Sequence, residues 1–296
     1  MTHTFNRRDF LKAGGTVLAA AALQTNSSAV AEEQTKKRQI KKAIMYGTIG
    51  FPGNVMTKLQ AVKAAGFEGV EPMSHMHQDE VLKALDATGL KAASVCCDTH
   101  WGKPLSHPDE KVRREGVEGL LQALRDAKRY GASSVLLVPG VVNKQVPYED
   151  CFKRSVLEIR KAVPLAEELG VKIAIENVWN DFITKPEQAV EFMDAINSPQ
   201  VGWHFDIGNA IRYSPSETWI SVLGKRIVKL HIKEYGQFKK FSVRFFEGDN
   251  HWPAIMKALD QVGYHGWGIS EQPGSQSKDA AELKDLSERM DRVFAS

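Results

Sequence analysis

The stretch VKIAIENVWNDFITKPEQAVEFMDAINSPQVGWHFDIGN, residues 171–209, contains one complete strand–helix–strand repeat. Two short apolar runs, Val171–Glu176 and Val201–Asp206, read as buried strands. Between them, Thr184-Lys185-Pro186-Glu187 reads as a capping box with Pro at the first helical position. Each run closes on a carboxylate, Glu176 or Asp206. The same pattern continues in the C-terminal direction, where IVKLHIKE places His231 near the end of Ile227–Ile232 and GWGISEQ places Glu271 at the end of Trp267–Glu271.

Towards the N-terminus the matching runs are Ala43–Thr48, Phe67–Glu71, Lys91–Cys97 and Ser133–Val138, which brings the strand candidates to eight. The segments between them are amphipathic at helical spacing. Val117, Leu120, Leu121 and Leu124 form one stripe, and Phe152, Val156, Ile159, Val163 and Ala166 form another. Ala280, Leu283, Leu286, Met290 and Val293 mark the last helix. Gly66, Gly89, Gly131, Gly170 and Gly263 each follow a helical run, where a left-handed cap is needed. Ser214-Pro215-Ser216-Glu217 reads as a second capping box. Strand–helix alternation repeated eight times is the signature of an α/β (β/α)8 TIM barrel, here over residues 40–296.

Residues 1–31 read as a twin-arginine signal peptide. Arg7 and Arg8 precede Phe10, Leu11 and Lys12, an apolar run over 13–23, and the small-residue cleavage pattern Ala29-Val30-Ala31. The expected location is therefore periplasmic or secreted, with the twin-arginine translocase as a transient partner. The apolar run is too short for a stable membrane anchor. Residues 32–39 form a charged lead-in. Cleavage after Ala31 removes Arg7, Arg8, Lys12 and Asp9, a sum of +2, so the net charge falls from +3 to +1. A near-neutral domain does not suit nucleic-acid binding. The oligomeric state is left open, a homo-oligomer included. Cys96, Cys97 and Cys151 read as buried small hydrophobes, because three cysteines make no disulfide framework.

In a parallel barrel, the C-terminal strand ends converge on one rim. Glu176, Asp206, His231 and Glu271 would then be neighbours and form a mostly oxygen ligand set. Such a set suits one octahedral divalent cation, Mn2+ first and Mg2+ or Co2+ after it, over tetrahedral Zn2+. Singly, each residue has an ordinary structural reading: a carboxylate capping a turn, a satisfied core histidine, a solvated glutamate. Four at consecutive strand ends favour a shared site.

The segments IAIENVWNDF, WHFDIGN, WISVLGKRIVKLHIKE and FEGDNHW resemble the sugar phosphate isomerase/epimerase group with the xylose-isomerase-like barrel. That group includes tagatose and psicose 3-epimerases and hydroxypyruvate isomerase. The resemblance implies that Glu176, Asp206, His231 and Glu271 hold one divalent cation, and that Glu176 and Glu271 are the catalytic acid/base pair. The implied reaction is α-proton abstraction from a keto-sugar or related polyol ketone, with an enediolate stabilised by Lewis-acid chemistry. One departure is Asn209, which stands where several family epimerases carry His. Asn cannot become a cation.

Substrate-binding candidates on the same rim are Glu71, His100, Trp101, Trp179, Asn209 and Lys233. His75 and His77 read as lid residues, and His251 and His265 as loop surface. The basic loop 235–250 reads as a lid or a partner surface. Export argues against a sugar phosphate. The rival readings are an exported 3-keto-glycoside lyase using the same metal site, an endonuclease IV-like protein, and a non-catalytic sugar-binding barrel.

Overall fold

The computed structural model describes residues 38–296; the twin-arginine segment and most of the charged lead-in lie outside the described residues. Nine parallel strand segments form one sheet: β1 (Ile40–Met45), β2 (Gly69–Glu71), β3 (Lys91–Ala92), β4 (Val95–Cys96), β5 (Ser134–Leu137), β6 (Lys172–Glu176), β7 (Val201–Asp206), β8 (Ile227–Ile232) and β9 (Gly266–Ser270). Their order is β3-β2-β1-β9-β8-β7-β6-β5-β4, so β1 pairs with β9 and the first and last strands meet.

The single strand expected over Lys91–Cys97 is two segments. It breaks at Ala93–Ser94, where β3 finishes its pairing with β2 and β4 begins pairing with β5. The Cys96 N–H donates to the Pro72 carbonyl, and the Ser74 N–H to the Cys96 carbonyl. The broken strand therefore occupies one barrel position and closes the ring. Eight positions carry the nine segments, and the (β/α)8 reading holds.

The helices cover the barrel with the expected stripes. Val117, Leu120 and Leu124 are buried on helix Glu110–Tyr130, while Leu121 is half-buried. Leu283, Leu286, Met290 and Val293 are buried on helix Ala280–Ala295, but Ala280 is exposed. Gly89, Gly131 and Gly170 adopt left-handed caps, as their positions required.

Both expected capping boxes are rearranged. Helix Pro186–Ile196 is capped one residue later than read: Gln188 Oε1 accepts from the backbone N–H groups of Lys185 and Thr184. Helix Ser216–Leu223 has no side-chain cap. There, Ser214 Oγ accepts from the Trp219 indole and Ser216 Oγ donates to the Ile207 carbonyl, so tertiary partners have taken both hydroxyls.

At the start of the chain described, Arg38 donates to Asp260 and to the carbonyls of Phe294 and Ser296, fastening β1 to the C-terminal helix. Cys96, Cys97 and Cys151 are free and buried, as read. Among the described residues no helix is long and apolar enough to cross a membrane.

Candidate metal centre

Strand register delivers the four ligand candidates to one place. Glu176 and Asp206 end β6 and β7, Asp206 pairs with His231 across β7 and β8, and Glu271 follows β9. One donor atom from each of the four lies within 4.8 Å of every other. His231 Nδ1 is 2.8 Å from Glu176 Oε1, 3.3 Å from Glu271 Oε2 and 3.9 Å from Asp206 Oδ2.

Two asparagines brace this floor. Asp206 Oδ1 accepts from the Asn209 N–H at 2.7 Å, and the Asn209 amide donates to Asp206 Oδ2 at 2.8 Å. Asn177 accepts from the Asp206 N–H and donates to the Asp206 carbonyl. The turn after Asp206 lies so close to the next strand that a Cβ on Gly208 would sit 2.7 Å from the Lys233 carbonyl oxygen. Glycine is therefore required there for packing rather than for an unusual φ.

The charges compensate one another. Lys233 donates to Glu271 at 2.7 Å and to Asp206 at 3.3 Å. Burial alone would raise Glu271, but the Lys233 ammonium and His231 outweigh it and hold that carboxyl well below its ordinary range. Burial raises Glu176 and pushes Asp206 up to about 8, against the pull of Lys233 on the latter. Burial would lower His231, yet the Glu271, Glu71 and Glu176 carboxylates raise it well above a free imidazole.

The residues fit a divalent cation. Three carboxylates and an imidazole point their donor atoms at one spot, and the nearest positive groups are those that balance excess negative charge. The imidazole is also oriented for it. His231 Nε2 lies 3.0 Å from Glu71 Oε2, which leaves Nδ1 facing the carboxylates. A carboxylate behind a ligating histidine fixes the ring and its tautomer.

That contact corrects the reading of Glu71 as a substrate-binding residue. Its side chain is fully buried, absent from the cleft lining, and accepts from Ser94 Oγ as well as facing His231. Ser94 lies at the break between β3 and β4. The other candidates, His100, Trp101, Trp179, Asn209 and Lys233, all line the cleft above the floor, with Glu176, His231 and Glu271 at its base. This open cleft has a volume of about 260 Å³, just under the ~300–1,000 Å³ typical of small-molecule sites. His75 and His77 are exposed and do not line the cleft, and His251 and His265 lie on the surface.

Sequence reasoning missed three contributors. Phe241, from the 235–250 loop, lines the cleft and packs against Trp179 with ring centroids 4.7 Å apart. Glu234 holds that loop: its carboxylate accepts from the N–H groups of Tyr235, Phe246 and Asn250 and from the Trp252 indole. The position of Glu234 directly after HIK was the available signal. His204, fully buried beneath His231 at 4.2 Å between ring centroids, left no signal beyond an ordinary strand residue. Both its ring nitrogens lack hydrogen-bond partners, and burial, then His231 and Lys229, hold it well below the usual imidazole range.

Residues 59–293 match the xylose isomerase-like TIM barrel family. This chain belongs to that family. A relative, L-ribulose-5-phosphate 3-epimerase UlaE of Escherichia coli O157:H7 (strain EC4115 / EHEC), is 27% identical over 243 residues, covering 76% of this chain and 84% of that protein. The solved D-psicose 3-epimerase of Clostridium cellulolyticum H10 with D-tagatose superposes with a TM-score of 0.73 at 18% identity, over 86% of this chain and 99% of that one. The IolI protein with a zinc atom bound gives 0.75 at 19%, over 86% and 98%. At these identities the two structures establish the shared barrel. Xylose isomerase-like barrels thus frame the cleft and its acidic floor.

Proposed function

We propose that this chain is a divalent-metal-dependent epimerase or isomerase of a keto-sugar or related polyol ketone. The observation that carries the reading is the convergence of Glu176, Asp206, His231 and Glu271, of which Glu176, His231 and Glu271 line the base of a cleft and Asp206 lies buried beside them. The sugar 3-epimerases among its relatives support it. These four residues would hold the cation, which when bound supplies Lewis-acid polarisation of a ketone. The oxygen-rich donor set favours Mn2+, with Mg2+ and Co2+ next; zinc belongs in the same trial because the IolI protein binds it.

The chain's own residues supply the proton chemistry. Glu176 and Glu271 come from separate strands and both line the cleft. In the absence of a cation, Lys233 and His231 hold the Glu271 carboxyl down against burial, while burial raises Glu176. A bound cation would favour the ionised form of both carboxyls, so the one that serves as acid gains its proton by exchange with substrate or water. Removal of an α-proton by one carboxylate and delivery of a second proton, carried by the other carboxyl, to the opposite face would invert that carbon, and exchange with solvent would reset the two groups.

The test is incubation of Mn2+-loaded protein with a panel of keto-sugars and 3-keto-glycosides in D2O. Deuterium uptake at the α-carbon with conserved product mass is expected. Release of an aglycone would instead establish a lyase, and no exchange with any substrate would sink the proposal. We further infer export through the Arg7–Arg8 motif, which Arg7→Lys with Arg8→Lys should block. Normal trimming of that double variant in the periplasm would refute it.

A further inference from the structure

Beneath the acidic floor, the barrel interior holds a second group of metal-ligand side chains. Glu71 ends β2. His204 stands two residues before Asp206 on β7, and therefore on the same face of that strand. With His231 they form a trio whose side chains are all fully buried, with one donor atom from each within 4.8 Å of the others.

Two observations point to a ligand among them. Both ring nitrogens of His204 are buried and have no hydrogen-bond partner, and Nδ1 stands 3.9 Å from Glu71 Oε1. A buried imidazole is ordinarily hydrogen-bonded. Glu71, for its part, pairs with no lysine or arginine among the described residues. Its contacts are the Ser94 hydroxyl and the two imidazoles. The buried Lys229 donates elsewhere, to Ser133 Oγ at 2.8 Å. A carboxylate kept inside a protein is as a rule paired with a full charge or bound to a metal.

The donor set differs from that of the floor. Two imidazoles and one carboxylate make a nitrogen-rich trio, which suits Zn2+, whereas the floor offers three carboxylates and one imidazole. His231 can serve both because its two nitrogens face opposite ways. Nδ1 lies 2.8 Å from Glu176 Oε1, and Nε2 lies 3.0 Å from Glu71 Oε2. A cation taking the place of the Nε2 proton, which leaves to solvent, turns the ring into an imidazolate. The two positive charges of the ion are then matched by that imidazolate and the Glu71 carboxylate, so no net charge is buried.

We propose that Glu71, His204 and the Nε2 side of His231 form a second cation site that takes Zn2+, with the His231 ring bridging it to the floor. Glu71, which orients His231 through the Nε2 proton when only the floor is loaded, becomes a ligand when both sites are. The ion ties β2, β7 and β8 to one another inside the ring. This inference does not depend on which substrate the cleft takes. Because the three side chains are fully buried, the ion has to enter while the chain folds, so it is supplied during expression.

The test counts metal in the full chain, produced in medium supplemented with Zn2+ or with Mn2+, desalted over a chelating resin and read by elemental analysis. Zinc-grown wild type should carry two Zn2+ per chain, and manganese-grown wild type one Mn2+. His204→Phe keeps a ring in the space and removes both nitrogens. It should halve the zinc count and leave the manganese count unchanged, which separates this site from the floor. Glu71→Gln should halve the zinc count as well, and it decides the matter by itself if His204→Phe fails to fold. A single Zn2+ in wild type overturns the proposal, as do two Zn2+ retained in both variants, which would place the second ion elsewhere. A count that falls from two to one in His204→Phe supports the site even if no keto-sugar is turned over, so its fate and that of the epimerase reading are read separately.

Discussion

The two halves of the barrel differ in strand length, in regularity and in what they deliver to the rim. β6 to β9 are five or six residues long and pair in continuous ladders, with one register shift between Trp203 and His204. They present Glu176, Asp206, His231 and Glu271. In the first half β1 is also six residues long and pairs continuously with β9, but β2 to β5 are two to four residues long, and one position is split. To the cleft, the first half gives Met45, Cys96, His100, Trp101 and Leu136, and the carboxylate that ends β2, Glu71, faces inward to His231. The contrast teaches that ligand placement needs the register to be regular at the strand ends, as it is from His204 to Asp206 after the shift, because a one-residue slip turns a side chain to the other face. A wall of apolar contacts tolerates the irregular half.

The sharpest way to break this contrast is to disarm the second half. Glu176→Gln and Glu271→Gln keep size but cannot take a proton, so each should lose ~10²–10⁴-fold in turnover. The double variant should lose little more, because both serve one proton path. Near-normal turnover and α-proton exchange in both single variants would reduce the two residues to ligands.

Next in size is metal binding. His231→Ala removes a ligand and should abolish tight Mn2+ binding, measured by elemental analysis and titration, while circular dichroism shows a folded barrel. Retained binding would reject the site. Glu71→Gln probes the inward support from the first half, where losing such a partner typically costs ~10–100-fold in metal affinity. Glu71→Asp should recover part of it. An unchanged affinity in Glu71→Gln would leave Glu71 as packing alone.

The smallest effect at neutral pH belongs to His100. Its folded pKa, about 4, lies below the ordinary 6.5. The unfolded chain therefore binds more protons between those values, and stability rises with pH across that window. The full contribution is present above pH 6.5 and falls away as pH drops towards 4, by on the order of 3 kcal/mol. Chemical denaturation of His100→Gln should show a flatter profile there, and an identical slope would mean that His100 protonates freely.

Much of this was legible from residues alone. Short apolar runs and period-3.6 stripes are local, so eight strand positions and their helices could be counted before any contact was known. Strand ends are local as well, and a parallel barrel can only gather them on one rim, which made Glu176, Asp206, His231 and Glu271 a single candidate site. The capping boxes were misread because a hydroxyl near a helix start bonds whichever partner the fold brings, as Ser214 bonds Trp219.

What only the tertiary structure decided is where side chains reach after leaving their strands. Glu71 and His231 are 160 residues apart, and no sequence spacing says that a carboxylate on β2 turns inward to meet an imidazole on β8. The break at Ser94 that supports it, the commitment of Lys233 to two carboxylates, and the entry of Phe241 into the cleft are equally non-local. Sequence fixes backbone periodicity through short-range sterics and burial. The pairing of buried charges is settled by closure of the ring, because only then do groups on distant strands compete for the same few partners.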